Sequence, residues 1–297
     1  MVAPLAALLG DSLPSAGVPA LSLPQARRTV GPSPALPDMK PAQRLKARLQ
    51  QRDVVLGLLA IDHAWTDLVE LSQRAGLDYL IVCMEHGPVD TQTVAEICAT
   101  GRRLDFPVLI RPRSNDYATL RLAADLGPCG FLLASVETAA ELDVVRDALY
   151  VPPRGRRRPG GVGNRWVSNF LGPTWQSEFE QEFLVLPQVE TRKGLANRHE
   201  LARHEVTTAL ALGPYDLSAE LGVCGQMEAP ILRDACRQVR EAAEEAGKTG
   251  WLIGGDVAGM VREGWRFLCV GEPSWILVNA LHQTTLVARE ALAKPKS

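Results

Sequence analysis

From residue 54 onward, short apolar runs rich in Val, Ile and Leu alternate with longer segments of helical period. The clearest runs are "VVLGLLAI" (54–61), "DYLIVCM" (78–84), "PVLIRP" (107–112) and "GFLLASV" (130–136). Further along come "FLVLPQVE" (183–190), "VTTALALG" (206–213), "TGWLIGG" (249–255) and a looser one at 267–272. Apolar runs of this length without polar alternation are what strands buried on both faces look like. Between them lie helical patterns such as "TDLVELSQRAG" (66–76), "TVAEICATGRRL" (93–104), "YATLRLAADLG" (117–127) and "TAAELDVVRDAL" (138–149). Eight strands alternating with helices predict an α/β fold, a parallel (β/α)8 TIM barrel. The alternative, an open doubly wound sheet, wants a glycine-rich turn after its first strand, and "GLLAIDHAW" offers none.

Two stretches depart from this rhythm. Residues 1–38 are rich in Pro and Ala and show no sustained period, which reads as a disordered leader. A transit peptide and an upstream extension ahead of Met39 are the other readings, and "MKPAQRLKARLQ" opens an amphipathic helix there. Residues 39–297 are then expected to form one barrel domain. The connection 150–182 is long for a compact fold and carries Arg154, Arg156, Arg157, Arg158 and Arg165. Long loops are often functional, so it reads either as a solvated basic loop or as an anion-contacting lid.

Composition narrows the class. With 46% hydrophobic residues, 22% charged and a formal charge of −2, the chain offers no electrostatic footprint for nucleic acid or a membrane surface. No apolar run reaches the length of a membrane span. The six cysteines stand in no CxxC pair and read as thiols in a reducing compartment, so the cytoplasm is the expected location.

Chemistry in such a barrel sits where the strands end. The second run ends in Glu85 and His86, the third in Arg111, the fifth in Gln188 and Glu190, and the sixth leads into "GPYDLS" with Tyr215 and Asp216. Two carboxylates from different strands, with no Cys or His beside them, suit a hard divalent cation better than zinc. Each of these residues has a plainer reading. Glu190 and Asp216 could cap the helices that start beside them. Arg111 could pair with a surface acid, and His86 could be a core imidazole or a structural partner of Glu85. Asp125, at a helix C-terminus where the macrodipole disfavours its charge, is either solvated or paired.

Taken together, "MEHGPVD", "IRPRSND", "AADLG", "PPRGRR", "GVGNR", "PQVETRKG" and "GPYDLS" resemble the class II pyruvate aldolases. That is the 4-hydroxy-2-oxoheptanedioate and 2-dehydro-3-deoxyglucarate aldolase type, related to the citrate lyase β subunit. The resemblance runs from about residue 40 to 290 in the family's order. It implies a carbon–carbon lyase that reversibly cleaves a 4-hydroxy-2-oxo acid to pyruvate and an aldehyde through a metal-stabilised enolate. His86 would be the general base, Asp125 would raise its basicity, and Arg111 would stabilise the transition state. Glu190 and Asp216 would hold Mg²⁺ or Mn²⁺, with Co²⁺ a further candidate. Gln188, Tyr215 and Asp216 would contact the pyruvate portion. A homo-oligomer is implied, a hexamer in which the last helix packs on a neighbouring subunit. Metal catalysis spares the chain a Schiff-base lysine, and Lys193 is already a turn into a helix. The chain departs from the pattern at Cys83, where an aspartate is usual, and at Glu272 and Pro273 after the eighth strand. Two other functions stay open: a citrate-synthase-like or lyase enzyme using an acyl thioester, and a catalytically altered barrel with a regulatory or assembly role.

Overall fold

The computed structural model describes residues 40–158, 160–161 and 172–293. The leader and Arg165 lie outside them. The strands are β1 (Val55–Ala60), β2 (Tyr79–Cys83), β3 (Val108–Arg111), β4 (Gly130–Leu133), β5 (Leu184–Val189), β6 (Ala209–Leu212), β7 (Thr249–Ile253) and β8 (Phe267–Cys269). All neighbours pair in parallel, and β8 returns to β1, closing the barrel. Every predicted run contains its strand.

Helix α1 (Pro41–Gln50) precedes β1. Between strands come α2 (Leu68–Arg74), α3 (Thr91–Arg103), α4 (Tyr117–Asp125), α5 (Ala139–Leu149), α6 (Trp175–Glu180), α7 (Arg192–Ala196) and α8 (Arg198–Arg203). Then follow α9 (Pro214–Glu220), α10 (Pro230–Glu245), α11 (Val257–Arg262) and, after β8, α12 (Pro273–Ala293).

The two-residue alternation of each strand divides the core in two. Leu80, Val82, Ile110, Leu133 and Leu210 point outward and pack under the helices. Val55, Tyr79, Ile81, Leu109, Leu186 and Trp251 point inward and fill the barrel. Tyr79 crosses that interior: its hydroxyl donates to the Leu268 carbonyl at 2.8 Å and accepts from Trp251 Nε1 at 2.8 Å. Gly57 makes the crossing possible, since a Cβ there would stand 2.2 Å from the tyrosine ring.

The end where the strands begin is sealed. Ala42, Leu45 and Leu49, one stripe of α1, pack onto the inward-facing core beneath the barrel. Charges at this end are paired. Buried Glu182 accepts from Arg102 at 2.8 Å, and Arg102 also donates to the carbonyls of Gly127 and Pro128. Asp78 accepts from Arg48 and from the Leu56 amide. By contrast α12 leaves the barrel with little cover, every residue from Trp275 to Glu290 being exposed.

Candidate active site

At the end where the strands finish, the inward column continues past the strands in polar residues. Cys83 and Arg111 face each other in register on β2 and β3. The Arg111 guanidinium is nearly buried, at 7% exposure, and its Nε and Nη2 donate to Cys83 Sγ at 3.2 and 3.0 Å. Glu85 Oε2 lies 3.2 Å from Arg111 Nε and 3.6 Å from His86 Nε2. The guanidinium N–H groups are aimed at sulfur, so the Glu85 contact is an ion pair and not an aligned hydrogen bond. The result is a row, His86–Glu85–Arg111–Cys83, in which the imidazole is the most exposed member, its side chain 60% exposed. Gly87 follows because the turn presses on β1: a Cβ there would sit 2.2 Å from the Ile61 carbonyl.

Across the mouth stands Glu190, two positions beyond Gln188 on the same inward column and 6% exposed. Ser135, held at φ 51°, donates both its amide and its hydroxyl to Glu190 Oε1, at 2.6 and 2.7 Å. Oε2 is turned toward Gly213 and Gln188: a Cβ on Gly213 would meet Glu190 Oε2 at 2.3 Å and Gln188 Nε2 at 2.5 Å. Gln188 Oε1 is buried without a hydrogen-bond partner among the described residues. Burial raises the Glu190 pKa; the Ser135 bonds oppose this, while the like charges of Asp216 and Glu85 add to it. No Lys or Arg pairs with Glu190 or Asp216 among the described residues. A buried carboxylate with a free oxygen, a second carboxylate beside it and an orphaned amide oxygen together suit a divalent cation. The residues therefore fit the metal that the sequence pattern implies.

The capping readings are not met. Thr191, not Glu190, caps α7 by accepting from the Gly194 amide. Helix α9 begins at Pro214 with Gly213 before it, which puts Asp216 inside the first turn with no side-chain cap bond. Tyr215 is 61% exposed beside Asp216.

Two expectations need revision. Asp125 closes α4, and the chain then runs into the start of β4, so it lies at the opposite end of the barrel from His86. There its carboxylate accepts from Arg157 at 2.7 Å; burial still raises its pKa, against the pull of Arg157 and Arg121. Within one chain it is a partner for Arg157 and not for the imidazole. The basic connection joins a helix to a strand, so its ends also lie away from the mouth. Arg154 pairs with Glu180 and Glu205, Arg156 with Asp147 and Arg157 with Asp125, which makes its described part an anchor and not a lid. Sequence reading passed over Ser135 and Gly213. A glycine directly after an apolar strand was the available signal for the second.

Residues 60–274 match the HpcH/HpaI aldolase/citrate lyase family, and the chain belongs to it. A hydroxypyruvate/pyruvate aldolase of Pseudomonas aeruginosa is 28% identical over 257 residues, covering 82% of this chain and 91% of that protein. A 4-hydroxy-2-oxo-heptane-1,7-dioate aldolase of Shigella boydii is 31% identical over 254 residues, covering 84% and 90%. Among solved structures, an HpcH/HpaI aldolase from Desulfitobacterium hafniense superposes with a TM-score of 0.73 at 26% identity, covering 85% of this chain and 98% of that one.

Proposed function

We propose that this member of the HpcH/HpaI aldolase/citrate lyase family is a metal-dependent aldolase that cleaves a 4-hydroxy-2-oxo acid to pyruvate and an aldehyde. The observation that carries the reading is Glu190: a buried carboxylate with one oxygen satisfied by Ser135 and the other left facing Gln188 and Gly213. Glu190 and Asp216 would hold Mg²⁺ or Mn²⁺, which when bound acts as a Lewis acid toward the 2-oxo acid.

The chain's own residues account for the rest. In cleavage, His86 takes the proton of the C4 hydroxyl, the C3–C4 bond breaks, and the aldehyde departs. The bonding pair passes into the pyruvate fragment as an enolate, and a proton returned to C3 completes pyruvate. His86 suits this work because its ring is solvent-accessible while Glu85 holds it from one side. Arg111 contributes a fixed positive charge near the developing enolate, its guanidinium immobilised by Cys83 and Glu85. Gln188 and the backbone at Tyr215 and Asp216 would orient the carboxylate end of the substrate. Asp125 has no part in this single-chain scheme.

A homo-oligomer fits the same reading. Trp275, Val278, Leu281 and Val287 of α12 are exposed, and a second copy of the chain is the occupant we assign to them. Among the described residues no helix is long and apolar enough to cross a membrane, and most cysteines are buried free thiols, which suits a cytoplasmic enzyme.

The test is proton exchange. Pyruvate incubated with the protein in D₂O should lose its methyl protons when Mn²⁺ or Mg²⁺ is present, and His86→Ala should slow that loss by roughly 10²–10⁴-fold. Absence of exchange with every divalent metal would overturn the assignment, and turnover of an acyl thioester with no turnover of aldehydes would transfer it to a synthase.

A further inference from the structure

A second group of potential ligands stands on the same rim, across the barrel from Glu190 and Asp216. Asp62 and His63 follow β1, and Glu272 follows β8 at the entry to α12. One potential ligand atom from each of the three lies within 4.8 Å of the others. Barrel closure brings them together, because β8 pairs with β1.

Three features separate this group from an ordinary exposed cluster. Glu272 is 2% exposed, yet no Lys or Arg pairs with it or with Asp62 among the described residues. Its oxygens are met only by neutral donors, the Ser274 hydroxyl at 3.1 Å and the Trp275 amide at 3.2 Å. The Trp275 amide contact is the N-cap bond of α12, and beyond it the buried charge has no countercharge among the described residues. Second, Ser274 Oγ also lies 3.0 Å from His63 Nδ1. The Ser274 hydroxyl thus bridges the imidazole and the buried carboxylate, which ties two members of the group together. Third, Asp62 and His63 are exposed, so an ion has a route in.

We infer that Asp62, His63 and Glu272 form a second divalent-cation site, distinct from the Glu190–Asp216 pair. One imidazole and two carboxylates favour a transition ion of the Zn²⁺ or Co²⁺ kind, whereas the all-oxygen pair accepts Mg²⁺.

That difference makes the inference testable without reference to turnover. The full chain, saturated with Mg²⁺, is titrated with Zn²⁺ by calorimetry and with Co²⁺ by visible absorption. The expected result is one tight equivalent of Zn²⁺ and a Co²⁺ spectrum of mixed nitrogen and oxygen ligation. Both should weaken at least tenfold in His63→Ala and in Asp62→Asn, two exposed positions where the fold is safe, and should persist in Glu190→Gln. Binding unchanged in His63→Ala would overturn the site. So would loss of all transition-metal binding in Glu190→Gln, which would mean that a single cation site serves the whole rim. Failure of the pyruvate exchange experiment would leave the second site standing.

Discussion

The two ends of the barrel treat the same residue types in opposite ways. Where the strands begin, Glu182 is buried against Arg102, whose remaining N–H groups go to backbone carbonyls, and Asp125 is closed off by Arg157. Where the strands finish, Glu190 is about as deeply buried and has only Ser135 for company, with Asp216 and Glu85 adding like charge. A folding chain gains nothing from the second arrangement. Burial without a countercharge is unfavourable by itself, and this is the ground on which we propose Glu190 as a metal ligand.

Breaking one carboxylate at each end should give mirrored results, the largest effect we expect. Glu182→Gln leaves Arg102 buried without its countercharge and should destabilise the fold by about 3–5 kcal/mol, read from urea unfolding. Its metal affinity, measured on the folded fraction, should not change. Glu190→Gln should keep or raise the melting temperature while divalent affinity falls roughly a hundredfold, read by Mn²⁺ titration. Equal destabilisation of both variants would erase the contrast between the ends.

Next in size is the imidazole. His86→Ala should lower pyruvate proton exchange by roughly 10²–10⁴-fold, the range for loss of a general base, with Mn²⁺ affinity unchanged. A parallel loss of metal binding would mean that His86 is a ligand and not a base.

Gly213→Ala sharpens the picture at smaller cost. The added methyl would collide with Glu190 Oε2 and Gln188 Nε2 and press on Glu190 Cβ at 2.9 Å, all side-chain atoms and none backbone. Metal affinity should fall about tenfold with little change in melting temperature, in keeping with the usual loss when a metal ligand's support is disturbed. Gly57→Ala would act in the opposite sense, because its methyl meets the Tyr79 ring inside the core and would lower stability first.

The mildest effect is pH dependence. Burial raises the Glu190 pKa above its unfolded value, so on acidification the folded protein takes up this proton before the unfolded chain does. Acidification through that window therefore adds stability through Glu190 while it neutralises the carboxylate we propose as a metal ligand. Divalent affinity should decline on acidification above the ordinary glutamate range, and Glu190→Gln should flatten the profile. An unchanged slope in that variant would assign the titration to another group.

Much of this was readable along the chain. Unbroken apolar runs announced strands covered on both faces, and the end of each run named its rim residue, as with Arg111 after "VLI" and Glu190 after "LPQV". What misled was direction. A strand followed by a helix turns at the mouth, a helix followed by a strand turns at the floor, and both Asp125 and the arginine-rich connection belong to the second kind. The resemblance gave Asp125 a catalytic role and the length of the basic connection suggested a lid, but within one chain their place in the alternation puts both among ion pairs at the floor.

The sequence by itself determined the strands, their two-sided burial and the chemistry available where each one ends, because these depend on residues a few positions apart. Only the tertiary structure decided which carboxylates share a wall. Ser135 reaches Glu190 from the turn after β4, and Asp62 and His63 meet Glu272 because the last strand closes on the first. Such meetings depend on register and closure, which are set by the packing of the whole barrel and leave no local period in the chain.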